Sequence, residues 1–169
     1  IIFAFLGDPS DGPSGHVRGA IQQAAELCHS ADLKILIENE PGSFADTGEH
    51  TLRLIESLEI DNVFVNWDPC NTGILGAPGK LGNSARVLGS LIKHVHVKDG
   101  CPVGRNLYPR YGPIAEGHLG WREHLLVLKE MGYNGWFSIE THYEPLVEGS
   151  RTILAELRSL LNEVDFWGD

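Results

Sequence analysis

Short apolar runs recur along this chain between amphipathic stretches, and each is followed within three residues by an ionisable side chain. Ile35-Leu-Ile37, Val63-Phe-Val65 and Trp136-Phe-Ser-Ile139 are nearly continuous in apolar character. A strand with one wet face alternates apolar and polar residues, whereas a strand covered on both faces does not. These runs therefore ask for a parallel sheet packed under helices. Strands are predicted over 1–7, 33–38, 62–67, 92–97 and 135–140. Helices are predicted over about 16–30 (Val17, Ala20, Ile21, Ala24 and Leu27 on one face), 48–58, 81–91, 120–131 and 146–163. A stretch rich in Gly, Pro and Tyr, 99–119, reads as a long loop.

Parallel strands joined by helices take right-handed crossovers. No low-complexity tract divides residues 1–169, which read as a single domain of five βα units. A closed (β/α)8 TIM barrel takes eight units and about 250 residues. The expected fold is therefore a partial barrel, this chain supplying about the last five βα units. Strands 1–7 and 135–140 would form its open apolar edges. The N-terminal units are expected to be missing from the chain or supplied by another one, and a homo-oligomer fits the same pattern.

Composition narrows the function classes. A formal net charge of −10 opposes a nucleic-acid grip or adhesion to an anionic membrane. No apolar run reaches the roughly 18–20 residues that span a bilayer. Ile1-Ile-Phe-Ala-Phe-Leu6 lacks the basic flank and cleavage site of a signal peptide. Cys28, Cys70 and Cys101 form no C-x-x-C pair and read as reduced thiols of a cytoplasmic protein.

The strand ends carry the chemistry. Glu38, Asp68, His96 and Glu140 each stand at the C-terminal tip of a predicted strand, and in parallel α/β folds these tips open on one face. Three carboxylates and an imidazole make a site for one divalent metal, with Mn²⁺ or Mg²⁺ favoured and Co²⁺ or Zn²⁺ compatible. A carboxylate closing an apolar strand is costly to bury without such a partner. His94 and His96 share a strand face. The one nearer the tip is the expected ligand, and His94 is its support from below. His142 is a weaker candidate near the pocket, while His16, His29, His50, His118 and His124 are expected in solvent. Lys98 either projects into the same cleft, to stabilise an enolate, or pairs with Asp99 at the surface. Glu40, Asn71 and Glu116 are candidate substrate contacts, and Arg105 and Arg110 could meet a carboxylate or phosphate. Trp67, Trp121 and Trp136 are expected in the core or the pocket wall.

At these residues the chain resembles the xylose isomerase-like TIM-barrel superfamily, the sugar phosphate isomerase/epimerase family. The matching stretches are Ile37-Glu-Asn39 with Pro41-Gly42, Asn66-Trp-Asp-Pro with Asn71, His94-Val-His-Val-Lys-Asp99, Ala115-Glu-Gly117, and Gly132-Tyr with Gly135-Trp136 running into Ser138-Ile-Glu140. The resemblance implies that Glu38, Asp68, His96 and Glu140 bind the metal. Many epimerases of the family carry a His three residues after the metal-binding Asp, where this chain has Asn71; the His-Val-Lys-Asp run looks more like the inosose dehydratase branch.

The implied activity is metal-dependent isomerisation or epimerisation of a small polyhydroxylated carbonyl compound: a sugar, sugar phosphate or inosose. Glu38 or Glu140 would abstract a proton α to the carbonyl, giving a cis-enediolate. Three alternatives stand beside it: a dehydratase of the inosose type on the same site, a non-catalytic or incomplete barrel needing a partner, and a nuclease similar to endonuclease IV. The last is opposed by the acidic charge and the scarcity of histidines at the tips.

Overall fold

The computed structural model describes residues 2–3, 7, 14–75, 81–102, 109–115 and 117–168. Strand β1 (Ile2–Phe3) is followed by helix α1 (Gly15–Ser30), β2 (Ile35–Glu38), α2 (Gly48–Leu58), β3 (Val63–Trp67) and a short helix α3 (Pro69–Gly73). Then come α4 (Leu81–Leu88), β4 (Ile92–Val97), β5 (Asp99–Pro102), β6 (Pro109–Gly112), α5 (Trp121–Glu130), β7 (Trp136–Ile139) and α6 (Leu146–Glu163). The main sheet has the order β1-β2-β3-β4-β7, and every neighbouring pair is parallel. Among the described residues β1 and β7 are its outer strands, as the apolar edges of the sequence suggest.

Local chemistry sets the helix starts. Ser14 Oγ accepts the Val17 N–H at the head of α1, and Thr47 Oγ1 accepts the His50 N–H at the head of α2. In α1 the buried stripe is Ile21, Ala25 and Cys28, an i, i+4, i+7 set. Leu27, expected on that face, lies beside the stripe and is exposed.

The two faces of the sheet divide the labour. Ile35, Ile37, Val63, Val65, Trp67, Val95 and Val97 are almost wholly buried and share one core with Leu54, Ile55, Ala85, Leu88, Leu125, Leu128 and Ile153 of the helices. Since side chains alternate along a strand, the intervening residues point the other way. Register aligns them in rows: Glu38 beside Asn66, Asn66 beside His94, His94 beside Trp136, and His96 beside Ser138. The polar face is thus a consequence of the same period that builds the core.

Three expectations are corrected. The stretch 99–119 is not all loop: β5 and β6 form an antiparallel ribbon, with Asp99 opposite Gly112 and Pro102 opposite Pro109. The prolines sit at the ladder's far end, where a missing N–H costs little, and so they read as loop residues in the sequence. Helix α3 replaces the loop expected after Asp68, started by Asp68 as N-cap and Pro69 in its first turn. Trp67 and Trp121 are in the core, but Trp136 is 79% exposed, because it opens an outer strand on the polar face. Among the described residues no helix is long and apolar enough to cross a membrane.

Candidate metal centre

Parallel strands of matched register end side by side, which brings their terminal side chains together. Glu38 closes β2, Asp68 follows β3, His96 lies near the end of β4, and Glu140 follows β7, with its N–H bonded to Val97 O at 3.1 Å. One ligand atom from each of the four lies within 4.8 Å of all the others. His96 Nδ1 is 3.0 Å from Glu38 Oε1, 3.2 Å from Glu140 Oε2 and 4.0 Å from Asp68 Oδ2. Donors sharing one small cation at about 2.1 Å sit roughly 3 Å apart, so the spacing suits a single ion.

The two oxygens of Asp68 take different partners. Asp68 is fully buried; its Oδ1 accepts the Asn71 N–H, while Oδ2 has no hydrogen bond of good geometry. The nearest charge to Oδ2 is Lys98 Nζ at 2.8 Å, an ion pair lying off the hydrogen-bond direction. A buried carboxylate oxygen without a hydrogen bond is expensive unless a cation meets it, and here the Lys98 ammonium does. Glu38, Asp68, His96 and Glu140 therefore fit a divalent ion by donor type and spacing.

Lys98 is in the cleft, not at the surface. It is 3% exposed and reaches Glu140 Oε2 at 2.5 Å as well as Asp68. Asp99 does not pair with it; its carboxylate accepts the N–H groups of His118 and Leu119. Burial alone would depress Lys98, but Asp68 and Glu140 outweigh it and raise its pKa, so the ammonium stays charged. Burial likewise pulls His96 down, yet hydrogen bonds to Glu140 and Glu38 lift it to about 9. Glu140 would rise on burial, but His96 and Lys98 hold it at about 2. Asp68 goes the other way: its burial outweighs Lys98 and pushes the carboxyl up to about 7.

Glu40 and Asn71 lie at the rim of this cluster. Asn71 Nδ2 donates to Glu40 Oε2 at 2.8 Å and to Asn39 O at 2.9 Å, and Glu38 Oε1 is 3.5 Å away. Burial raises the Glu40 pKa against the pull of Lys98. Arg105 and Glu116 lie outside the described residues. Arg110 and His118 line a cavity beside the β5–β6 ribbon with Tyr111, and Tyr111 stacks on the exposed His142 at 4.7 Å between ring centroids.

His94 lies next to His96 on the same strand face. Its Nε2 is 2.6 Å from Ser138 Oγ, and its ring meets His96 edge-on at 5.8 Å. His124, expected in solvent, is instead buried, and its Nε2 accepts the Trp67 Nε1–H at 2.9 Å. Helical position alone gives no sign of that bond, because an aromatic contact between β3 and α5 has no sequence period. Asn39 is a further residue that the strand-tip pattern does not single out, though it directly follows Glu38.

Comparison with known proteins gives the fold its family. An uncharacterized protein of Methanocaldococcus jannaschii is 29% identical over 147 residues, which is 85% of this chain and 48% of that protein. The chain thus spans about half the length of the curated relative it matches. Among solved structures, a probable 3-DHS dehydratase, AsbF, from Bacillus anthracis superposes with a TM-score of 0.75 at 20% identity, covering 95% of this chain and 62% of that one. A D-tagatose 3-epimerase-like protein gives a TM-score of 0.68 at 25% identity, covering 96% and 62%. Residues 7–163 match the family model of the xylose isomerase-like TIM barrel. With that match over most of its length, the chain belongs to the xylose isomerase-like TIM barrel family.

Proposed function

We propose that this chain carries the metal-binding side of a sugar isomerase or epimerase that works by proton transfer α to a carbonyl. The observation that carries it is the convergence of Glu38, Asp68, His96 and Glu140 on one point, with Lys98 Nζ inserted between two of the carboxylates. The epimerase and dehydratase names among the structural neighbours support the same reaction class. Three carboxylate oxygens and one imidazole nitrogen favour Mn²⁺ or Mg²⁺, with Co²⁺ or Zn²⁺ compatible. Such an ion, when bound, supplies Lewis acidity to a carbonyl and an adjacent hydroxyl.

The chain's own residues do the rest. Glu38 and Glu140 approach His96 Nδ1 as separate carboxylates from β2 and β7. One, as carboxylate, takes the α-proton; the carbon's electron pair forms the enediolate double bond as the carbonyl pair moves onto oxygen; and the other, as carboxylic acid, gives its proton to the same or the neighbouring carbon as the oxygen pair returns to form a carbonyl. The Lys98 ammonium, held charged and buried, offsets the negative charge that develops on the substrate oxygens. Glu40 and Asn71 stand where substrate hydroxyls would be read. Residues 1–169 form one partial barrel in this proposal, its wall completed by βα units outside them or on another chain.

A dehydratase is the second reading, favoured by the fit to the probable 3-DHS dehydratase and by Asn71 after Asp68. It shares the first step and then expels a β-hydroxyl. In D₂O, wild-type protein with Mn²⁺ should exchange the α-proton of a ketose substrate, and Glu140→Gln should not. Exchange retained in that variant would remove Glu140 from the reaction.

A further inference from the structure

From the hydrogen bonds around β2 and β3 we infer that Asn39 is a positioning residue, a two-point clamp that aims the Asp68 carboxylate into the metal pocket. The inference rests on the metal-site reading above. Asn39 is fully buried, and its carboxamide is spent on the backbone of Asp68. Oδ1 accepts the Asp68 N–H at 2.7 Å, and Nδ2 donates to the Asp68 carbonyl at 2.7 Å. Nδ2 also reaches Thr72 Oγ1 at 3.1 Å, inside helix α3. The side chain thus behaves as one more rung of the β2–β3 ladder, placed one step beyond the last paired residues, Glu38 and Asn66.

The clamp decides which oxygen faces the pocket. With N–H and C=O of Asp68 both held, the residue takes φ −114° and ψ 101°, the extended conformation of an N-cap. Its Oδ1 is then committed to the Asn71 N–H, which starts α3, and the buried Oδ2 faces the cluster, 2.8 Å from Lys98 Nζ and 4.0 Å from His96 Nδ1. Asp68 is therefore set to offer a single oxygen. The same amide network reaches the neighbouring strand tip, since Asn71 Nδ2 returns to Asn39 O and Glu40 Oε2. Groups that orient metal ligands from outside the coordination shell typically account for about 10–100-fold in metal affinity. A carboxamide is needed because only it offers a donor and an acceptor in the two positions that a peptide presents.

Asn39→Asp is the discriminating variant. It keeps the acceptor for the Asp68 N–H but sets an oxygen against the Asp68 carbonyl. The added negative charge would by itself draw a cation closer, so weaker binding cannot come from charge. The control is Asn62→Ala, which removes a similar amide bond, Asn62 Nδ2 to Leu33 O at 2.9 Å, at the opposite end of β3. Mn²⁺ affinity of the full chain is measured by titration calorimetry and by the EPR signal of free Mn²⁺, with thermal stability recorded alongside. Asn39→Asp is expected to weaken Mn²⁺ about 10–100-fold, and Asn62→Ala to lower stability with affinity within about twofold of wild type. Equal affinity in Asn39→Asp and wild type overturns the clamp. A second readout needs no metal: in Asn39→Ala the Asp68 amide proton should exchange about tenfold faster or more, while the Val65 amide stays protected. Unchanged exchange at Asp68 also overturns it. If wild-type protein binds no Mn²⁺, the metal reading falls, and amide exchange still decides whether Asn39 holds Asp68.

Discussion

His124 should make the protein lose stability on mild acidification, by an amount that one substitution can isolate. Its Nε2 accepts the Trp67 indole N–H at 2.9 Å, so a neutral ring must carry its hydrogen on Nδ1, which is buried with no partner. A second proton would have to enter at Nε2, against the indole N–H, and leave a charge in the core. Burial accordingly pushes His124 down to about 4, against about 6.5 for a free histidine. The unfolded chain therefore takes up the proton first as pH falls. The stability difference is nearly absent above pH 7, grows between about 6.5 and 4, and is complete below 4. Within that window each step of one in pH costs about 1.4 kcal/mol, so the loss between pH 7 and pH 5 is about 2 kcal/mol. That loss corresponds to roughly 4–8 °C in Tm for a chain of this size. His124→Gln places an amide oxygen near the Nε2 position, able to accept the same indole N–H without titrating. Urea unfolding of both proteins at pH 7 and pH 5 gives a double difference in which all other titrating groups cancel. Wild type should lose about 2 kcal/mol more than the variant across that interval. Equal losses in the two proteins would refute the assignment of a buried, neutral His124.

Lys98→Met leaves Asp68 and Glu140 facing each other without their ammonium; stability in EDTA should fall by about 3–5 kcal/mol, with part of the loss restored by Mn²⁺, as melting curves with and without metal would show. Saturating wild type with Mn²⁺ at about 100 times its dissociation constant should add about 2.7 kcal/mol of stability, and a melting temperature indifferent to Mn²⁺ would contradict the metal site. Gly117→Ala drives a Cβ into the Asp99 carboxylate, which is already fixed by the His118 and Leu119 N–H groups; a loss of about 1–3 kcal/mol in urea unfolding is expected. Trp136→Ser should change stability by less than about 0.5 kcal/mol, since the indole is 79% exposed.

Much of this protein is legible in its sequence, for reasons that lie in short-range geometry. The apolar runs of β2, β3 and β7, the helix boundaries of α2 and α6, and the parallel order of the strands all follow from local periods and from the handedness of βα units. Glu38, Asp68, His96 and Glu140 are recognisable because each ends a strand, and strands of a parallel sheet end together. For Lys98 the sequence leaves both cleft and surface open, because the residue after a strand can turn either way.

What the tertiary structure alone decided are the contacts with no sequence period. Lys98 pairs with Asp68 and Glu140, on other strands, and leaves Asp99 to cap a distant loop. Trp67 meets His124 across 57 positions, and Asn39 meets Asp68 across 29. The ribbon of Asp99–Pro102 with Pro109–Gly112 likewise depends on a pairing that neither segment announces. Periodicity states which face a side chain takes, whereas hydrogen bonding depends on distances of a few tenths of an ångström between elements far apart in the chain. The four strand tips were therefore written in the sequence, whereas the Asn39–Asp68 hydrogen bonds, the buried Lys98 ammonium and the Trp67–His124 bond were decided only by the packed fold.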